Sequence, residues 1–174
     1  MPGLVNVRVA RNCRNVRAIT AGAQSLMPQQ PLGFTGHRMP EGVPGGFAVR
    51  DASKDETDAL STALRELLKE YSPEQIVVLS PFAATNSLVG RFFARNERTR
   101  SERWLRKQLE SEAGSGRIRW RSIFKFKGLD ADAVVLTDIG NKAKSFATEN
   151  GLSFSDLLYV GLTRAKYRCV VLTT

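Results

Sequence analysis

The chain has 174 residues, 42% of them apolar, with a formal net charge of +9 and a pI near 10.1. That is enough apolar side chain to close a single core, and the basic excess suits a polyanionic partner. No run of eighteen apolar residues and no charged-then-apolar leader occurs, so neither a membrane span nor a secretory signal is expected, and the cytoplasm is the expected compartment.

The first segment, Leu4 to Leu26, reads as a strand and a helix whose basic residues Arg8, Arg11, Arg14 and Arg17 have no acidic neighbour. Residues 27–46 are rich in proline and glycine and read as a long surface connection. Gly46 to Arg50 is a candidate short strand. Ser53 and Glu56 have the spacing of a capping box, and Leu60, Ala63, Leu64, Leu67, Leu68 and Tyr71 then recur on one helical face. Ser72 and Pro73 end that helix. Ile76 to Leu79 is an apolar run of the kind found in a strand buried on both sides, closed by Ser80 and Pro81.

Two helices are expected next, from about Thr85 to Asn96 and from about Ser101 to Ala113, the second ended by Gly114 to Gly116. Ile118 to Ile123, Ala133 to Leu136 and Tyr167 to Leu172 have strand patterns. Between the last two, Phe154, Leu157, Leu158, Gly161, Leu162 and Ala165 form a helical stripe that Ser153 caps. Strands separated by helices imply a mainly parallel sheet covered on both faces, with ligands expected where the strands end.

Cys13, Cys169 and the single histidine, His37, match no zinc-ligand spacing, so no metal site is expected and both cysteines are read as reduced thiols. From Arg91 to Lys127 there are twelve basic residues against four acidic ones, interleaved with Phe92, Phe93, Trp104, Trp120, Phe124 and Phe126. Basic residues among aromatics suit single-stranded nucleic acid, which needs backbone attraction and base stacking. Rings in the core beneath a solvated arginine face would produce the same pattern.

Three stretches carry a family resemblance. Ser122 to Asp130 reads SIFKFKGLD, followed by the apolar run Ala133 to Leu136; Leu157 to Lys166 reads LLYVGLTRAK; and Arg11 to Asn15 reads RNCRN. The first two resemble the fifth and sixth motifs of superfamily 1 DNA helicases of the UvrD/Rep type, and their separation fits as well. The third resembles the Q-N-Y-R-S motif. Gln75 to Asn86 is similar to a strand and turn of the same domain.

The resemblance implies the second RecA-like domain of such an enzyme, with an α/β, P-loop NTPase-like fold that lacks the phosphate loop itself. No G-x-x-x-x-G-K-[ST] sequence occurs. ATP and Mg²⁺ would then be bound only together with an N-terminal RecA-like motor domain, in cis or in trans, which would hold the Mg²⁺. By itself the chain is expected to be catalytically silent. Val134 to Asp138 superficially resembles a strand ending in a metal-binding aspartate, and without a phosphate loop it reads as a plain core strand.

By the same resemblance, Arg164 is the expected arginine finger and Arg14 its companion. Lys127, Gly128, Asp130, Thr163 and Cys13 are expected at the nucleotide. Asp130 stands in place of a glutamate, and Cys13 in place of an adenine-stacking tyrosine. Ser80, Pro81, Phe124 and Lys125 are the expected contacts to single-stranded DNA, with Phe124 where the family has a histidine. The large helical insertion usual in these helicases is absent, since only about forty residues separate Leu79 from Ile118. A stand-alone nucleic-acid-binding or regulatory module derived from a helicase is the alternative.

Overall fold

The computed structural model describes residues 15–27, 42, 44–111, 116–126 and 128–174. Among the described residues six strands form one sheet: β1 Phe47–Asp51, β2 Ile76–Ser80, β3 Leu109–Glu110, β4 Ile118–Ser122, β5 Ala131–Ile139 and β6 Ala165–Thr173. Their order is β1-β6-β5-β2-β4-β3, and every pair is parallel. The helices are α1 Arg17–Leu26, α2 Glu56–Leu67, α3 Leu88–Phe93, α4 Arg100–Gln108, α5 Asn141–Glu149 and α6 Phe154–Leu162. No described helix is long and apolar enough to cross a membrane.

Successive side chains on a strand point to opposite faces, so central strands that are apolar throughout feed two cores. Val77, Leu79, Val134, Leu136, Cys169 and Val171 pack with α1 and α6 on one face. Ile76, Val78, Ala133, Val135, Val170 and Leu172 pack with α2, α3 and α4 on the other. A smaller cluster of Ala143, Ala147 and Leu157 joins α5 to α6.

Several local expectations are corrected. The cap of α2 is Asp55, whose carboxylate accepts from the amides of Thr57 and Asp58 at 3.0 and 2.9 Å. Ser53 instead donates its own amide to Asp51, at 2.9 Å, so the Ser53/Glu56 box does not form. The helix expected from Thr85 to Asn96 is a 3₁₀ turn, Ala84–Asn86, followed by the short α3. Ser87 breaks the two apart by taking an extended conformation, from which its hydroxyl caps Gly90 N at 3.1 Å. Similarly, α4 ends at Gln108 because Leu109 and Glu110 pair with Ile118 and Arg119. Helix α5 has no sequence counterpart above: it offers only Ala143, Phe146 and Ala147 as an apolar face.

Many cations of the basic stretch are spent on local structure. Arg95 pairs with the buried Glu102, Arg103 with Glu97, and Arg106 donates to the carbonyls of Phe92 and Arg95. Phe92 and Phe126 are core residues, and Phe93 stacks on Trp120. For Phe92 and Phe126 the core explanation holds, whereas Phe93 is 36% exposed and covers Trp120 at the surface. Phe124, 43% exposed, is a different case.

Candidate functional site

The sites expected from sequence fall on two opposite edges of the sheet. Arg164 follows α6 and precedes β6, so it lies where strands begin, not where they end as the general rule for open sheets suggested. In an all-parallel sheet every residue of a helix-to-strand connection is at the starting edge. The order of α6 and β6 along the chain therefore decides the matter.

The two C-terminal motifs meet at this edge. The Ala131 amide donates to the Arg164 carbonyl at 2.9 Å, and Ala131 pairs with Ala165 as the β5–β6 ladder begins. The Arg164 guanidinium donates from Nη1 to the Leu129 carbonyl at 3.1 Å and from Nε to the Val160 carbonyl at 3.0 Å, and its Nη2 donates to Thr163 Oγ1 at 3.3 Å. The Val160 contact satisfies a carbonyl in the last turn of α6, a favourable place for a cation. Thr163 also donates its hydroxyl to Val160, at 3.2 Å.

Asp130 pairs with Lys166 Nζ at 2.9 Å, and that hydrogen bond together with the carboxylate charge holds the Lys166 ammonium above its ordinary pKa. Gly128 has φ +86° and open space where a β-carbon would stand, so the turn needs glycine for its backbone rather than for room. Asn15 binds the Ala165 carbonyl through its side chain, and the Val16 amide binds the Lys166 carbonyl at 3.0 Å. Cys13, Arg14 and Lys127, expected at the nucleotide, lie outside the described residues.

Segment 123–130 connects the two edges. Ile123 and Phe126 are fully buried and anchor it across the face of the sheet, from the end of β4 to the start of β5. The single motif SIFKFKGLD thus contributes Phe124 and Lys125 at one edge and Gly128 and Asp130 at the other.

At the strand-end edge, Ser80 is 3% exposed, and its hydroxyl donates to Asp138 Oδ2 at 2.7 Å. Its hydroxyl is thus engaged internally, at the edge where the contact to single-stranded DNA was expected. Pro81 is also buried, although it borders a groove of about 860 Å³ with Phe82, Phe124, Lys125, Lys142 and Phe146. Phe146 stands 5.3 Å from the Phe82 ring and 6.3 Å from the Phe124 ring, between centroids.

Asp138 organises this edge. It is buried, has φ +61°, and accepts from Ser80, from Thr137 Oγ1 at 3.0 Å, from the Leu88 amide at 3.0 Å and from Arg91 Nη1 at 3.0 Å. Arg91 also binds Glu56 at 3.0 Å and the Asn86 carbonyl at 2.8 Å. Burial raises the Glu56 carboxyl above its usual range against the pull of Arg91, and the Asp138 charge adds to the rise. Asp138 is more than the plain core residue expected from its strand. An apolar run ending in an acid was its signal, whereas Arg91 was marked only as one residue of the basic stretch and nothing in the sequence marked Lys142 or Phe146. Among the described residues no group of three or more His, Cys, Asp and Glu is placed to hold a metal ion.

Residues 118–172, which span β4 to nearly the end of β6, match the family model of the UvrD-like helicase C-terminal domain. The chain is similar in structure to the C-terminal domain of a possible DNA helicase from Lactobacillus plantarum WCFS1, with a TM-score of 0.54 at 15% identity, over 92% of this chain and 86% of that one. No curated protein matches the chain. Over residues 118–172 the chain is thus similar to the UvrD-like helicase C-terminal domain, and its parallel α/β fold is similar to that of a helicase C-terminal domain, RecA-like in kind.

Proposed function

We propose that this chain is the second motor domain of an ATP-dependent DNA helicase or translocase, and that it completes a nucleotide site whose phosphate loop belongs to a first motor domain. The observation that carries this reading is the direct contact of the two motifs through Arg164 and Leu129 at the strand-start edge. The rule that ligands sit where strands end applies to a domain that binds its own nucleotide there. A domain that supplies one wall of a shared crevice is not held to it.

The residues at this edge suit one wall of such a site. Arg164 offers a planar guanidinium on a rigid helix-to-strand junction, able to neutralise charge that develops on transferring phosphoryl oxygens. Asp130 offers a carboxylate to a ribose, and Gly128 an open backbone turn. Mg²⁺ chemistry would be supplied by the other domain. Arg14, Lys127 and Cys13 remain proposed neighbours of the nucleotide, and Phe124 and Lys125 proposed contacts to single-stranded DNA.

The test combines the chain with a phosphate-loop domain of the same family, fused or added in trans, and follows DNA-stimulated ATP hydrolysis. Turnover should require both parts and fall about 10³- to 10⁵-fold with Arg164→Ala. Arg164→Lys should not restore it, because lysine lacks the fork of donors. Turnover by the chain alone that disappears with Arg164→Ala would overturn the reading, as would combined turnover indifferent to Arg164. The strand-end groove favours one second reading, a nucleic-acid-binding module, because it gathers Lys125 and Lys142 beside the rings of Phe82, Phe124 and Phe146. Combined turnover that never exceeds that of the phosphate-loop domain would favour the module.

A further inference from the structure

We propose that Arg91, Lys142 and Phe146 form a nucleotide-unit subsite for single-stranded nucleic acid in the strand-end groove, with a base against the Phe124–Phe146 pair and its phosphate at Arg91 and Lys142. This rests on the nucleic-acid reading above and extends it to α3 and α5, outside the motifs that carry the family resemblance.

The groove has the two chemistries such a ligand needs. Its apolar wall is aromatic, with Phe146 between Phe82 and Phe124, and Phe124 is 43% exposed beside it. Every base has a π-face, so rings of this kind accept bases with little regard to sequence. The rim carries Lys125 and Lys142 against Glu149, two cations that can meet a phosphate, and Arg91, whose charge Asp138 and Glu56 balance, adds N–H donors beside them. At about 860 Å³ the groove has room for a nucleotide unit.

Arg91 is pre-positioned. Its side chain is 40% exposed, yet Asp138, Glu56 and the Asn86 carbonyl hold it in place. Among the described residues these contacts engage three of the five N–H donors of a guanidinium. Two donors are left for a ligand oxygen, and little side-chain entropy is lost when they are used. Asp138 is a positioning residue here, since it reaches the ligand only through Arg91 and the 81–88 turn.

The experiment measures binding of the chain to a thymidine oligonucleotide and to an abasic oligonucleotide of equal length across a salt series. The thymidine strand should bind about tenfold more tightly. Phe146→Leu should remove most of that preference and leave abasic binding unchanged, whereas Phe146→Tyr should keep it. Arg91→Gln should make the dependence of log K on log salt shallower by about 0.7, the amount expected for one lost phosphate contact to a single strand. Thermal unfolding of each variant separates these effects from loss of the fold. Equal affinity for both strands, an equal loss in the Leu and Tyr variants, or an unchanged salt slope would overturn the subsite while leaving a nucleic-acid role intact. If the unaltered chain binds neither strand at low salt, both the subsite and the DNA contact fail.

Discussion

Arg164 clasps Leu129 across 35 positions of sequence, its Nη1 donating to the Leu129 carbonyl at 3.1 Å while its own carbonyl receives the Ala131 amide at 2.9 Å. Side chain and backbone of one residue thereby tie the end of α6 and the start of β6 to the turn before β5. A residue held this way has a structural as well as a proposed chemical role. Arg164→Ala should lower the stability of the isolated chain by about 1 kcal/mol, the scale of one net hydrogen bond, which denaturant titration can read. A loss of that size is far too small to account for a 10³-fold fall in turnover by unfolding, so the two roles are separable.

Gly90 brings α3 against the preceding turn so closely that a β-carbon would overlap the Ala84 carbonyl oxygen. The obstacle is backbone and cannot rotate away. Gly90→Ala should therefore destabilise the fold by about 1–3 kcal/mol through overpacking, seen as a lower thermal midpoint, despite the better helix propensity of alanine. Gly128→Ala meets no neighbour but must adopt φ +86°, so its cost, about 1–2 kcal/mol, comes from backbone strain alone.

Asp55 makes α2 pH-sensitive. The Asp58 amide, the Thr57 hydroxyl and, less strongly, the Thr57 amide favour its ionised form and lower its pKa below the ordinary value of 3.8, with burial opposing them. A depressed folded pKa contributes stability that is present above the unfolded value and is lost as pH falls through the folded one. Asp55→Ala should cost about 1 kcal/mol at neutral pH, typical of a lost helix cap. That difference from the unaltered chain should shrink below about pH 4 in parallel denaturation curves.

Cys169 lies in the core with no exposed surface, and burial pushes its thiol pKa up to about 12. The thiolate is the reactive form, so Cys169 should resist alkylation in the native protein at neutral pH and react promptly in denaturant. Peptide mapping by mass spectrometry distinguishes it from Cys13. Rapid native labelling at Cys169 would show that the β1–β6–β5 side of the sheet opens far more readily than its packing implies.

Much of the architecture was legible because it depends on local pattern. Ile76 to Leu79 and Ala133 to Leu136 are apolar at consecutive positions, which in a parallel sheet means burial on both faces, and both proved to be central strands. Strand starts were underestimated, since the ladder begins at Ala131 and Ala165 and carries β5 and β6 past the polar Asp132 and Lys166, which lie at a register shift. The broken helix at Ser87 and the true cap at Asp55 depended on which of several short polar side chains reached an amide first. Helix α5 carries too few apolar residues to show a stripe, and with it Lys142 and Phe146 were missed.

The chain's own order of residues determined that a parallel sheet with two apolar faces would form, and that Arg164, placed between a helix and a strand, would stand where strands begin. Periodicity and capping act over a few residues and can be read directly. Only the tertiary structure decided that segment 123–130 crosses the sheet on the buried anchors Ile123 and Phe126, leaving Phe124 at one edge and carrying Asp130 to the other. That outcome depends on which strand β4 pairs with and how far along the sheet β5 starts. Such long-range choices are set by packing, which no local pattern records.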